Sequence, residues 1–287
     1  MPERYRIAAV DTLGLIARAV VIWSKPNGLP ESVTDRVRRS HEDWVHLVKL
    51  PRYYAAVDTI RQPHARSWTT GRNGGTRPAV VASSSQYDGL ADAGPNPLGA
   101  LPGSVWTVPT EPLTVPAELG VDHFAAFPTE WPRRIIQGWS PSGICAACGE
   151  GRRPLVEREY EHRQNRFANR FTDGLAAMGT HGKGRPGSSA APDLKLSASI
   201  VGEVCACPEP TAATHPAVVL DPCGGTGTVA LVAHALGRTG ITVDRSADYS
   251  RLAQWRTTDP GQLAKVLGVP KPPPQLDGQA GLFEVAS

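Results

Sequence analysis

An α/β fold is what this 287-residue sequence predicts, and three observations carry the prediction. An apolar run, Val218-Val219-Leu220, ends in an acid and passes straight into a Gly-rich loop, Asp221-Pro222-Cys223-Gly224-Gly225-Thr226-Gly227-Thr228. A helical pattern then runs from Val229 to Leu236 and stops at Gly237, a residue suited to the left-handed position just past a helix. A second apolar run, Gly240 to Val243, ends in Asp244. Strand, glycine turn, helix and strand make the start of a βαβ unit, with Thr226 or Thr228 placed to cap the helix.

The loop also suggests a ligand. Asp244 stands 23 positions after Asp221. An acid about 20 residues past a Gly-rich strand–helix turn is placed to accept hydrogen bonds from ribose hydroxyls. The third glycine of the dinucleotide fingerprint is missing, and no lysine follows the glycines as it does in a P-loop. The pattern therefore suits a nucleoside without phosphate, and S-adenosylmethionine fits, with Asp221 near its charged methionine part and Asp244 on its ribose. The plain alternative is a tight strand–helix turn that binds nothing.

Composition sets wide bounds. Lys and Arg number 30 against 27 Asp and Glu, so the global field is weak. Residues 1–72 are locally basic, with 12 Lys/Arg against 7 Asp/Glu. That face is compatible with nucleic acid, although most charge runs are simply solvated. No apolar stretch approaches membrane-span length and no signal-peptide core is seen, so a soluble protein with no membrane partner is expected. Gly (29) and Pro (27) imply many loops.

Taken in order, Tyr5 to Ile16 reads as a helix with Ile7, Val10, Leu13 and Leu15 as its apolar set. Ala19 to Trp23 reads as a strand, Ser24 to Pro30 as a loop forced by Pro and Gly, and His41 to Lys49 as a second strand. The two strands, with the basic turn Ser32 to Arg39 between them, form a hairpin-like unit. From about Gln62 to Pro102 periodicity is lost, and Ser83 to Pro97 has linker composition. Val105 to Pro109 is a short strand. A helix is expected from Thr129, its N-cap, to Gln137, and another from Ala247 to Trp255. Residues from Pro260 onward read as an irregular tail.

Four of the five cysteines fall in two tight pairs, Cys145/Cys148 and Cys205/Cys207. Four thiolates make a closed tetrahedral Zn²⁺ site, and such pairs favour zinc over disulfides in a reducing compartment. A disulfide or redox pair and unliganded thiols remain alternatives. Gly174 to Ser199, between the pairs, has the composition of a disordered excursion. Cys223 reads as a small residue packed near the ligand.

These segments together resemble the permuted amino-group DNA methyltransferases, in which the catalytic motif precedes the cofactor loop. The resemblance rests on Ile22-Trp23-Ser24-Lys25-Pro26-Asn27 with Pro30 to Val33, on Ser40-His41-Glu42, on Pro51-Arg52-Tyr53-Tyr54, and on Val105 to Pro109. His123 to Pro128 resembles the family segment that helps to bind the cofactor. Asp221 to Thr228 resembles its Asp-Pro-Phe-Gly-Gly-Ser-Gly-Thr loop, with Cys223 where Phe is usual. The paired cysteines resemble an insertion of some phage and actinobacterial members.

The resemblance implies an incomplete Rossmann-like methyltransferase sheet with an irregular target-recognition region and a small zinc-knot insertion. The segments it implies are 1–61, a hairpin part of the catalytic subdomain; 62–120, target recognition and linker; 121–144, a cofactor-associated helix; 145–208, the zinc insertion; 214–260, the S-adenosylmethionine βαβ; and 261–287, the tail. Cofactor contacts are expected at Asp221, Pro222, Gly224, Gly225, Thr226, Gly227, Thr228 and Asp244, and at Phe124, Phe127 and Pro128, where core packing is an equal alternative. Double-stranded DNA is the expected partner, met by Lys25, Arg36, Arg38, Arg39 and Arg72, with His41 and Glu42 either orienting the base pocket or serving the hairpin. The expected location is the cytoplasm of a bacterium or of a phage-infected host cell.

One departure matters. The family's Asp- or Ser-Pro-Pro-Tyr motif, which holds the exocyclic amine of a flipped base, occurs nowhere in the sequence. The expectation is the C-terminal portion of an adenine-N6 or cytosine-N4 enzyme, with a gap in its sheet and the catalytic motif upstream or on a separate N-terminal polypeptide. The alternatives are a non-catalytic remnant that binds S-adenosylmethionine or DNA, the partner subunit of a split enzyme, and a zinc-ribbon DNA-binding protein whose glycine turn is only structural.

Overall fold

The computed structural model describes residues 2–28, 30–64, 96–121, 126–162, 194–207 and 212–272. The chain divides into two compact units. The larger comprises Met1–Ile60, Pro102–Arg153 and Cys205–Ser287, and the smaller Arg61–Leu101 and Pro154–Val204.

In the larger unit, helix α1 (Pro2–Asp11) leads into β1 (Ile16–Ser24). The helix is shorter than the apolar pattern predicts, because Gly14 turns the chain in the left-handed region at φ 64°. Its expected apolar set is not its buried face either: Ile7 and Leu13 are 55% and 69% exposed, and Ala9 is the buried residue. The β-branched run of β1 pairs antiparallel with β2 (His41–Val48), from Ile16 opposite Val48 to Ser24 opposite His41. β3 (Val105–Thr107) joins the other edge of β1 in parallel, which sets Trp23 beside Trp106.

Helix α2 (Glu130–Trp139) is the spacer of this unit. One of its faces carries Trp131, fully buried, into a cluster with Trp23, Trp106 and Val108. Ring centroids of Trp106, Trp44 and Trp23 lie 5.0, 5.1 and 5.8 Å from that of Trp131. The other face carries Ile136 into a second cluster with Leu231, Val232, Ala233 and Val266. Pro132 fits because the first turn of a helix has no intrahelical acceptor for its N–H.

The second cluster belongs to the βαβ segment. β8 (Val218–Asp221) and β9 (Thr239–Thr242) pair in parallel, joined by α3 (Thr228–Ala235). Gly240 lies against the backbone of Ala230, where a Cβ would come within 2.7 Å of Ala230 Cα. Helix α4 (Ala247–Thr258) packs on α3, started by Ser246, whose side chain accepts the Tyr249 amide proton. The expected irregular tail is corrected from its first residue: Pro260–Leu267 is a helix, α5. Asp259 caps it, Pro260 occupies its first position, where proline is pre-set for a helix, and Gly268 closes it at φ 69°. Residues 273–287 lie outside the described residues.

Two short strands, β4 (Ile144–Cys145) and β7 (Thr214–His215), pair antiparallel near the cysteines. In the smaller unit β5 (Arg153–His162) pairs with β6 (Leu194–Val204). The expected excursion is therefore corrected at its end, since residues 194–199 form part of a strand; residues 163–193 lie outside the described ones. Elsewhere in this unit Gln62 and Ala100 form an antiparallel bridge, and Arg61 Nη1 donates to the Gly99 carbonyl at 2.8 Å. Among the described residues no helix is long and apolar enough to cross a membrane.

Candidate functional site

The Gly-rich loop joins β8 to α3 at the carboxyl end of the two-stranded sheet. Asp221 Oδ1 accepts the Cys223 amide proton at 3.1 Å, which folds the start of the loop. Gly224 is buried and its N–H donates to the Val243 carbonyl at 2.9 Å; a Cβ here would overlap the Thr242 hydroxyl. Gly225 and Gly227 take left-handed backbone at φ 49° and 74°. Nothing lies within 4 Å of where a Gly225 Cβ would project, so this stretch of backbone is open to a ligand.

Asp244 stands two residues past the end of β9 and faces the loop. Its Oδ2 accepts the Gly225 amide proton and its Oδ1 the Ser246 amide proton, both at 2.8 Å. The Ser246 and Gly225 amides hold its carboxyl below the ordinary aspartate range. The carboxylate is thus charged and aimed, and its acceptor capacity is not exhausted by the backbone amides, which leaves room for a hydroxyl donor. A cleft of about 920 Å³ is lined by Gly225 and Asp244 together with Gly240, Thr242, Ser250 and Gln254.

Two expectations about this loop are corrected. Gly227, not a threonine, is the N-cap of α3, and no side chain caps that helix. The hydroxyls of Thr226 and Thr228 instead accept from Arg256 Nη1 at 2.9 and 2.7 Å. Cys223 is exposed rather than packed. Thr129 does hold the N-cap position of α2, but its side chain makes no capping bond; its N–H and hydroxyl donate to Glu111 Oε2 at 2.9 and 2.8 Å.

Glu111 also receives Lys265 Nζ on Oε1 at 2.7 Å. Burial pushes its carboxyl up, and the hydrogen bonds from Lys265 and Thr129 outweigh burial, so it titrates below the ordinary glutamate range. Arg256 and Glu111 are the polar residues of this region that sequence reading missed. In the structure Arg256 falls on the buried stripe of α4 with Leu252 and Ala253; its helical spacing from those two was a hint of burial, but not of its partners.

Of the aromatic candidates, Phe127 packs edge-on to Trp44, centroids 5.9 Å apart, beside the tryptophan cluster. Pro128 is buried, and its carbonyl accepts the Trp131 N–H at 3.2 Å. Phe124 lies outside the described residues. Pro222 is exposed on the loop.

The basic candidates sit on the hairpin. Lys25 pairs with Glu42 and lies over the Trp23 ring, 4.3 Å from its centroid. Arg36 pairs with Glu31 at 3.2 Å, and Arg38 donates to the Gly28 carbonyl at 3.5 Å. Arg39 donates to the His41 carbonyl at 3.0 Å and stands 3.9 Å from Asp43. Arg36, Arg38 and Arg39 are exposed; Arg72 lies outside the described residues.

The two cysteine pairs meet in space. The sulfurs of Cys145, Cys148, Cys205 and Cys207 all lie within 4.8 Å of one another, with Cys205 and Cys207 at 3.1 Å and Cys145 and Cys207 at 3.6 Å. A tetrahedron of sulfurs around Zn²⁺ at ~2.3 Å has edges of ~3.8 Å, so the donor set and its size fit that ion. The Cys148 and Ala147 amides pull the Cys145 thiol down to about 6, toward the thiolate a metal requires.

Residues 3–144 match the family described as DNA methylase, the N6/N4 methyltransferase class. The chain is 31% identical over 133 residues to the type II methyltransferase M.Cfr9I of Citrobacter freundii, which covers 46% of this chain and 32% of that one. It is 30% identical over 141 residues to M.SmaI of Serratia marcescens, covering 48% and 37% respectively. A shorter stretch of 67 residues is 42% identical to M.SfiI of Streptomyces fimbriatus, 23% of this chain and 16% of the relative. The matches with M.Cfr9I and M.SmaI span about a third of those relatives' length. Among solved structures, the PvuII DNA methyltransferase (cytosine-N4-specific) aligns over 93% of this chain and 61% of its own, with 13% identity and a TM-score of 0.46.

Proposed function

We propose, from the match of residues 3–144 to the N6/N4 DNA methyltransferase family, that the protein serves methyl transfer from S-adenosylmethionine to an exocyclic amine of adenine or cytosine in double-stranded DNA. The observation that carries the proposal is the pairing of Asp244 with the open glycine backbone at Gly225. A ribose needs a charged acceptor just past β9, and the methionine part needs backbone it can approach closely; Asp244 and the open backbone at Gly225 answer these two needs. Bound S-adenosylmethionine supplies an electrophilic methyl group on a sulfonium. The chain's own residues orient it: Asp244 takes the ribose hydroxyls, Gly224 to Gly227 let the backbone close on it, and Asp221, at the end of β8, lies toward its ammonium group.

The Asp- or Ser-Pro-Pro-aromatic motif that would hold the flipped base is not among these 287 residues. In this reading it is contributed by polypeptide outside this sequence, either joined to it or as a separate partner. The sheet itself supports this: Val218 and Leu220 on β8 are 60% and 59% exposed, and Ile241 and Val243 in and after β9 are 44% and 54% exposed. Apolar residues two apart on both strands form one uncovered face, where a complete α/β sheet carries a further layer. The exposed hairpin turn with Arg36, Arg38 and Arg39 is the proposed contact with the DNA backbone, supplying affinity and not sequence. The Cys145/Cys148/Cys205/Cys207 cluster is proposed to hold a structural Zn²⁺.

Titration calorimetry of the whole chain with S-adenosylmethionine tests the site. Saturable binding that Asp244→Ala weakens while the fold persists supports the proposal; no binding by the unaltered protein overturns it. The second reading, a module that binds the cofactor or DNA without catalysing transfer, is favoured by the missing motif. Methylation restored by adding a polypeptide that carries the motif would exclude it.

A further inference from the structure

One buried charge remains beside the loop. Arg256 is 4% exposed and lies on the inward stripe of α4. Its Nη1 donates to the Thr226 carbonyl at 3.1 Å, to Thr226 Oγ1 at 2.9 Å and to Thr228 Oγ1 at 2.7 Å. Two protons serve three acceptors, so one is shared, and both hydroxyls are committed as acceptors to the same nitrogen. Burial lowers the guanidinium's pKa, while the charge of Glu111 acts in the opposite sense. A cation kept in so dry a place is costly unless its donors are hydrogen-bonded, and breaking those bonds leaves the charge uncompensated.

Those bonds answer a mechanical problem. Glycines have no side chain to anchor them, and Gly225 and Gly227 both hold left-handed backbone. On the β9 side the Asp244 carboxylate fixes Gly225. On the α4 side Ala253 packs on Gly227, and Arg256 hydrogen-bonds both threonines that bracket it. We propose that Arg256 is a positioning residue of the methyl-donor site: it locks the Thr226-Gly227-Thr228 turn, so that the open backbone at Gly225 keeps the shape the ligand requires. The proposal rests on reading this loop as the S-adenosylmethionine site. It also removes Arg256 from the residues available to DNA.

The test uses the full chain and two gentle variants. Thr228→Val keeps the volume and removes one acceptor, and Arg256→Lys keeps the charge and removes the planar fork. Calorimetric titration with S-adenosylmethionine should show each weakened by about tenfold, the loss of roughly one charged hydrogen bond. The double variant should be little worse than either alone, because both act through the same contact. Bound zinc should stay at the value of the unaltered protein, and unfolding should remain cooperative with a modest fall in melting temperature, since a buried donor is left unpaired. Wild-type affinity in both folded variants overturns the proposal. Arg256→Met is the severe version; if it fails to fold, Thr228→Val decides. If the unaltered protein does not bind S-adenosylmethionine, the site reading fails, and the lock is then read separately by amide exchange at Gly225 and Gly227. Faster exchange in Thr228→Val supports it, and unchanged exchange overturns it.

Discussion

Asp244 and Gly225 are joined by a 2.8 Å hydrogen bond from the glycine amide to the carboxylate, across the end of the parallel strand pair. The same carboxylate accepts the Ser246 amide, so one acid shapes both the glycine loop and the start of α4. Its pKa is depressed in the fold. A depressed carboxylate contributes above its unfolded pKa, and the contribution is lost as pH falls through the folded value. Carbon-13 titration should therefore find Asp244 ionising below the free-aspartate value of about 3.9. Between pH 5 and 8 this group should add no pH dependence to ligand binding. Asp244→Asn should cost more affinity than its small change in shape suggests.

The three loop glycines should differ in how they tolerate alanine. Gly225→Ala meets no neighbour but is strained by its positive φ, a cost of about 1 kcal/mol. Gly224→Ala overlaps the Thr242 hydroxyl, and Gly227→Ala combines a positive φ with a clash against Ala253. Each of these should cost about 1–3 kcal/mol or more, since overpacking forces the backbone to move. Urea unfolding of the three variants checks the ranking; equal losses would contradict the loop geometry.

Metal analysis should find about one zinc per chain in protein purified without chelator. Cys145→Ser and Cys207→Ser should each release it, whereas Cys223→Ser, exposed and outside the cluster, should retain it. Zinc retention by Cys145→Ser would exclude a site built on the four sulfurs.

Glu111 gives a second pH signature. Its carboxyl is depressed by Lys265 and Thr129 despite burial. Its contribution to stability is present above the unfolded glutamate pKa of about 4.3 and fades as pH falls below it. Glu111→Gln should lower the melting temperature at pH 7 and flatten the fall in stability between pH 5 and 3. An unchanged acid limb would show that the network around Thr129 contributes little.

The parts of this fold that were legible in the sequence are those with local signals. Prolines and glycines bound the hairpin strands, and glycine spacing marks the turn between Asp221 and Thr228. The first missed feature, α5, also had a local signal, the Asp259-Pro260 start and the Gly268 stop, which the nearby prolines obscured. Arg256 was missed for a different reason. Charged residues are usually solvated, and nothing in its own neighbourhood announces that its partners lie thirty positions earlier. The tryptophan cluster was illegible on the same ground, since its members come from β1, β2, β3 and α2. Thr226 and Thr228 read as caps because their type favours that role; the buried guanidinium competes for the same hydroxyls and wins.

The two-faced helix α2 has a consequence for how the chain acquires its structure. Trp23 leaves a ribosome roughly a hundred positions before Trp131, the ring it packs against. The hairpin must wait for that ring, and the ring's helix must in turn wait for Leu231 and Val232 to cover Ile136. Each part therefore matures only when a distant one arrives, a pattern of non-local contacts that slows folding and prolongs the time apolar surface is bare. Chaperone dependence during synthesis, and a strong drop in soluble yield when translation stops short of Val232, are what such an order entails.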